Sequence, residues 1–252
     1  GDGGGDRNGD FAGDPVQSLS TYTGKVLRIN KDGSIPTDNP FYAETTGAFR
    51  SIYALGLRNP ISATTHPGTG DIFVFDVGTA NGFDQGTVFR VAASDNYGHD
   101  GDSAIGNRVG PWANVGTPII SGGTWYFADQ FPATYHGRLF LTSWQQGLRT
   151  VQSINDTSVA DFTSNAVPDQ GSLSPTVGPD GSLYYLASTY ETNNGEIHRI
   201  SYTPSNDLAK PKISPKGGSY VDTVVVTLNS TTPAAEIRYT LDGSMPTDAS
   251  LL

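Results

Sequence analysis

Arg58-Asn59-Pro60 is the stretch of this 252-residue chain best suited to hold a charged ligand. A guanidinium offers a planar fork of donors that matches a carboxylate two bonds at a time, and the neighbouring amide adds a neutral donor. Recognition of a carboxylated ligand is the expectation. The competing one is that Arg58 pairs with a local aspartate while Asn59 caps a turn. Asp2, Asp6, Asp10 and Asp14, interleaved with glycine, and Asp100-Gly101-Asp102 further on, could offer oxygen ligands to calcium. Their spacing is not that of an EF-hand loop, and solvated acidic loops are the plainer expectation. The four histidines read as structural or surface residues: His66 precedes a proline in a turn and His198 falls within a strand, with His99 and His136 the other two. Trp112 could stack on a planar ring, although filling an interface between strands is its expected role. The absence of cysteine removes thiol nucleophiles, thiolate metal sites and disulfides together.

The elements that must carry these residues repeat. Gly70-Asp-Ile-Phe-Val-Phe-Asp-Val-Gly78 is followed by Gly86-Thr-Val-Phe-Arg-Val91, and Gly137-Arg-Leu-Phe-Leu-Thr-Ser143 by Gly147-Leu-Arg-Thr-Val151. Gly181-Ser-Leu-Tyr-Tyr-Leu-Ala187 is likewise followed by Gly195-Glu-Ile-His-Arg-Ile200, and Gly24-Lys-Val-Leu-Arg-Ile29 matches the second half of the unit. Alternation with a period of two marks each piece as a strand. Recurrence every 40–65 residues or so, several strands at a time, points to a β-propeller; a β-sandwich is the alternative. A polar, proline-flanked stretch at 205–210 reads as a linker between a propeller over 1–204 and a small module over 211–252. In that module Thr223–Leu228 and Glu236–Leu241 are expected strands. The expected fold is all-β: a partial six-bladed β-propeller followed by a truncated Ig-like β-sandwich. With a start inside a Gly/Asp loop and no initiator methionine, the sequence is expected to be a piece of a longer protein.

Composition agrees and excludes. The 31 glycines and 16 prolines suit a turn-rich folded chain. Only 16% of residues are charged, which disfavours long helices and coiled coils. Twenty-five acids against fifteen bases leave a net charge of −10, so nucleic acid is an unfavourable partner. No apolar run approaches the ~20 residues of a membrane-spanning helix.

The run Gly24-Lys-Val-Leu-Arg-Ile-Asn-Lys-Asp-Gly-Ser-Ile-Pro-Thr-Asp-Asn-Pro-Phe41, taken with Leu57-Arg-Asn-Pro60, resembles the signature of the soluble quinoprotein glucose/sorbosone dehydrogenases. Asp76-Val-Gly78, Asp95-Asn-Tyr-Gly98, Ser121-Gly-Gly-Thr-Trp-Tyr126 and Tyr135-His-Gly-Arg-Leu-Phe140 extend the resemblance, which reaches to about residue 202. The tail from Pro211, with Ile237-Arg-Tyr-Thr-Leu-Asp-Gly-Ser-Met-Pro-Thr247, is similar to the C-terminal Ig-like module of chitobiases and hexosaminidases.

The resemblance implies a six-bladed propeller that oxidises aldoses with pyrroloquinoline quinone (PQQ) and calcium in a secreted or periplasmic setting. It implies that Arg58, Asn59 and Thr117 contact PQQ, and that the main-chain carbonyls of Gly78 and Thr79 help hold the metal. It also implies that Asp2 orients a catalytic histidine lying upstream of this chain, which takes the sugar's hydroxyl proton as hydride passes to the quinone. This sequence departs from the family's pattern at two places. The loop Ser143-Trp-Gln-Gln-Gly147 carries no basic residue, and neither does Gln170-Gly-Ser-Leu-Ser174. The alternative is a secreted propeller without catalysis, serving as a carbohydrate-binding, adhesive or assembly module. In either case the partner is a sugar or glycan.

Overall fold

The computed structural model describes residues 15–80, 83–99, 105–115, 119–144, 147–162, 172–188, 195–203, 208–232 and 235–251. The chain divides into two compact units, Gly1–Tyr202 and Thr203–Leu252.

The first unit begins with a short antiparallel pair, β1 (Val26–Leu27) and β2 (Ile52–Ala54). Two four-stranded sheets and a three-stranded sheet follow. In the first, β3 (Pro60–Thr65), β4 (Ile72–Ala80) and β5 (Phe83–Arg90) run in order. A parallel two-stranded pair, β6 (Asp95–Asn96) and β7 (Asn107–Arg108), precedes the outer strand β8 (Ala113–Asn114). The second sheet is β9 (Ile120–Tyr126), β10 (Arg138–Ser143), β11 (Gly147–Ser153) and β12 (Asp156–Asp161). The third is β13 (Ser172–Val177), β14 (Leu183–Ser188) and β15 (Gly195–Ile200). The first strands of the sheets, β3, β9 and β13, pack side by side, as the inner strands of propeller blades do.

Each repeat read from the sequence is a hairpin, β4–β5, β10–β11 or β14–β15, antiparallel throughout. The apolar residues of these hairpins meet between sheets. Phe73, Phe75 and Val77 of β4 pack with Trp125 of β9, Leu139 and Leu141 of β10 and Val151 of β11. Phe73 and Phe75 have no exposed surface, and full burial of such a side chain stabilises by roughly 1.5–3 kcal/mol. Trp112 sits edge-on to Phe73 with ring centroids 4.8 Å apart, so it fills the blade interface. Tyr126 stitches two blades, donating from its hydroxyl to Gly181 O and accepting from Phe131 N, both at 2.8 Å.

The second unit has β16 (Lys212–Ser214) paired with β17 (Thr227–Asn229). The two expected strands form only in part. Of Thr223–Leu228 only the last two residues enter β17, and Glu236–Leu241 makes only an isolated bridge, Tyr239 to Leu251. Val225 is 83% exposed and Leu241 87% exposed. Strand propensity is realised only against a neighbour that covers a face, and these side chains have none among the described residues.

Candidate functional site

The chain reverses at Leu57–Asn59 to enter β3, and glycine makes the approach possible. Gly56 has φ +84°, and a Cβ there would lie 2.3 Å from Asn96 Oδ1 and 2.7 Å from Gly98 N. The segment therefore rests directly on the β6 region. Across this seam Leu55 N donates to Asp95 O and Tyr97 N to Leu55 O, both at 2.9 Å, and His99 N donates to Gly56 O at 3.0 Å.

From this base Arg58 and Asn59 project at the end of the first blade where β4 finishes. Asp76, in β4, is opposite Pro60 in the register. Its Oδ1 accepts from Asn59 N at 2.8 Å and its Oδ2 from Arg58 N at 3.4 Å. Val77 N donates to Asn59 O at 3.0 Å. The Arg58 guanidinium turns back over the strand and donates from Nη1 to Val77 O at 2.8 Å. Loop and strand end are thus laced together by side chain and backbone alike. Arg58 is half-buried and Asn59 is exposed.

Asp76 is buried to 3% exposure inside an otherwise apolar run. Burial pushes its carboxyl up from the ordinary carboxylate range. The N–H groups of Arg58 and Asn59 oppose that shift, as do the charges of His99 and Arg58. The Asp76 carboxylate thus takes the Arg58 backbone N–H, and Nη1 of the guanidinium donates to the Val77 carbonyl.

The predicted metal-holding pair lies on the same strand end. Gly78 and Thr79 face Gln85 and Asp84 across the β4–β5 ladder. The entry to β9 is adjacent: Gly86 is the register partner of Val77, and a Cβ on Gly86 would lie 2.9 Å from Ile120 Cβ. Ser143 is opposite Ile120, and Trp144 N donates to Ile119 O at 2.9 Å. The structure therefore brings Arg58, Asn59, Gly78 and Thr79 to one rim. Asp2, Thr117, the other N-terminal aspartates, the pair Asp100 and Asp102, and Gln145 and Gln146 lie outside the described residues.

Two further residues, Asp76 and Arg149, carried no role of their own in the sequence pattern. Asp76 stood in the sequence as the first residue of Asp76-Val-Gly78 and as a lone carboxylate in the apolar run Ile72–Val77. Arg149, on β11 rather than in a loop, donates from Nη1 to Val115 O at 2.5 Å, while Val115 N donates to Gly86 O at 3.0 Å.

The other histidines lie in local contacts. His66 accepts or shares bonds with Thr69 and stands edge-on to Trp125 with ring centroids 4.6 Å apart. His136 lies 3.6 Å from Asp129, and His198 bonds Glu196 at 2.9 Å. Among the described residues no three His, Asp or Glu side chains cluster so as to hold a metal ion. At this strand end the polar groups are backbone carbonyls of β4, the Arg58 guanidinium and the exposed Asn59 amide. Backbone carbonyls are a ligand type that calcium takes, and a guanidinium suits an anionic ligand.

Blade-like sheets whose inner strands lie side by side, with a polar rim at the strand ends, make this an all-β protein of the propeller class. Residues 3–199 match the family model described as Glucose / Sorbosone dehydrogenase, and the chain belongs to that family. Residues 215–252 match the Chitobiase/beta-hexosaminidase C-terminal domain. Among curated relatives, the aldose sugar dehydrogenase YliI of Escherichia coli K12 is 26% identical over 205 residues, 74% of this chain and 53% of the relative. The quinoprotein glucose dehydrogenase B of Acinetobacter calcoaceticus is 29% identical over 183 residues, 72% of this chain and 31% of the relative. Thus the chain spans about half the length of the first and about a third of the second. A crystal structure of a glucose dehydrogenase superposes with a TM-score of 0.60 at 22% identity, covering 75% of this chain and 57% of the other. The soluble aldose sugar dehydrogenase of Escherichia coli in its apo form gives 0.59 at 22%, with 73% and 56% covered. These two likenesses bear on the fold.

Proposed function

We propose that this chain supplies the cofactor-holding rim of a secreted or periplasmic, PQQ- and calcium-dependent aldose dehydrogenase. When bound, the quinone supplies the two-electron acceptor for sugar oxidation. Arg58 engages one of its carboxylates through the guanidinium fork, and Asn59 adds an amide donor from the same loop. Main-chain oxygens of Gly78 and Thr79 serve calcium, a cation that accepts backbone carbonyls readily. Thr117 contributes a further contact to the cofactor. Asp2 orients a histidine that lies outside this chain, so the 252 residues alone are expected to be inactive. The single observation that supports this reading is the lacing of the Arg58–Asn59 loop to β4 at Asp76 and Val77, next in sequence to Gly78 and Thr79.

The test is a titration of the full-length protein that contains this chain with PQQ, followed by the quinone absorbance, with calcium present and with calcium chelated. Saturable, calcium-dependent binding is expected. Lack of binding under both conditions overturns the proposal. One observation favours the second reading, a glycan-binding propeller without catalysis: Ser143, which ends β10, and Trp144, which follows it, carry no charge. Glycan-array binding without PQQ would establish that reading instead. Among the described residues no helix is long and apolar enough to cross a membrane.

A further inference from the structure

We infer that Asp76 is the positioning residue of the rim, setting the direction of the Arg58 guanidinium toward a carboxylate of the cofactor. The inference rests on the proposed reading of Arg58 as the carboxylate reader. Asp76 is buried, and its two oxygens meet the N–H groups of two consecutive residues, Asn59 at 2.8 Å and Arg58 at 3.4 Å. Only an acceptor with two oxygens and no donor satisfies both N–H groups. An asparagine would turn its NH2 toward one of them, and a serine or threonine would reach only one. Fixing two adjacent N–H groups fixes the backbone between them, and so the direction in which the Arg58 side chain departs. The same side chain then closes the lattice by donating to Val77 O, one residue beyond Asp76. Asp76 thus anchors the loop at its backbone while Val77 O registers the guanidinium, and both belong to the strand that ends at the predicted metal carbonyls of Gly78 and Thr79. Supporting groups of this kind, behind the residues that touch a ligand, typically change affinity by ten- to a hundredfold when removed.

The experiment is a double-substitution cycle read as PQQ affinity in calcium-containing buffer, with the thermal transition of each apo protein recorded alongside. Asp76→Asn is expected to weaken PQQ binding about tenfold when Arg58 is present, and less than twofold in an Arg58→Ala background, because its effect passes through the guanidinium. Asp76→Glu, which keeps both acceptor oxygens, is expected to stay within about threefold of the wild type and serves as the second variant if Asp76→Asn lacks a cooperative transition. The uncharged trimethyl ester of PQQ should bind wild type and Asp76→Asn alike. An equal loss in both Arg58 backgrounds, by either variant, overturns the positioning role, as does undiminished affinity in a folded Asp76→Asn protein. If Arg58→Ala itself binds PQQ as tightly as the wild type, the reading of Arg58 falls, a different signature from failure of Asp76 alone. If the wild type does not bind PQQ, both fall.

Discussion

Gln17 and Asn96 exchange two amide hydrogen bonds, at 3.1 and 2.7 Å, across 79 residues of chain. Both are buried, at 7% and 1% exposure. Asn96 also donates to Ile105 O at 2.8 Å and accepts from Gly98 N at 2.9 Å, and Gln17 donates to His99 O at 2.9 Å. This amide pair supports the β6 region on which Gly56 and the Arg58 loop rest. Asn96→Ala would leave several buried polar groups without partners, each costing about 1–3 kcal/mol. A loss of about 3 kcal/mol is expected, and a fall in melting temperature of roughly 6–12 °C. A calorimetric shift under 2 °C would refute the role given to this pair. Because the two side chains act as a unit, Gln17→Leu combined with Asn96→Leu should cost less than the sum of the single changes.

Arg58→Lys keeps the positive charge but discards the planar fork. A lysine ammonium is a compact, strongly hydrated point charge and does not reproduce a bidentate carboxylate contact. Hydrogen bonds to charged groups are worth about 1.5–3 kcal/mol, so PQQ binding should weaken by at least about tenfold. The bond to Val77 O is a single half-buried one that a lysine ammonium can also donate, so the melting temperature should move little. Titration of both proteins with PQQ, at equal ionic strength, checks this. Unchanged affinity would mean that Arg58 acts only through charge.

The hairpins were legible because their residue pattern reports their environment: most apolar residues of β4 and β10, and Leu183 and Tyr185 of β14, are buried, and the glycines before these strands mark the turns. The innermost strands β3, β9 and β13 were not legible. They include Pro60, the pair Gly122-Gly123, and Pro175, residues that usually argue against a strand. The reason for Gly123 is crowding, since a Cβ there would lie 2.5 Å from Phe75 Cζ. At the site, Arg58 and Asn59 stood out by residue type. The part played by Asp76 did not, because its partners are backbone N–H groups that leave no trace in sequence.

That crowding gives a prediction of its own. Gly123 in β9 is opposite Leu141, and an added methyl would meet Phe75 at 2.5 Å and Leu141 at 2.9 Å. Both neighbours have no exposed surface, so neither can swing into solvent. Gly123→Ala should destabilise by about 1–3 kcal/mol through overpacking. Phe75→Leu opens space beside the new methyl, so the double variant should be more stable than the sum of the two single changes predicts. Urea unfolding of the four proteins measures this coupling, and simple additivity would show that the methyl is accommodated elsewhere.

The last blade carries an acid-sensitive clasp. Asp180, in the turn before β14, accepts from Ser182 N at 3.1 Å, Tyr184 Oη at 3.0 Å and Arg199 Nε at 2.9 Å, with Arg199 Nη2 at 2.7 Å. Desolvation pushes its carboxyl up, but the hydrogen bonds from Ser182, Tyr184 and Arg199 outweigh it and hold the carboxyl at about 2. An unfolded chain would protonate it near 3.9. The folded state therefore prefers the ionised form. The stability this supplies is fully present above about pH 5 and fades as the pH falls from about 4 toward 2. Asp180→Asn should melt below the wild type at pH 7, and the gap should narrow below about pH 4 and close near pH 2. Salt should shrink the gap at neutral pH, since the pair faces solvent. Differential scanning calorimetry of both proteins from pH 2 to 7 makes the comparison. A gap that stays constant across that range would show that the carboxylate's charge contributes nothing and that the substitution acts through shape alone.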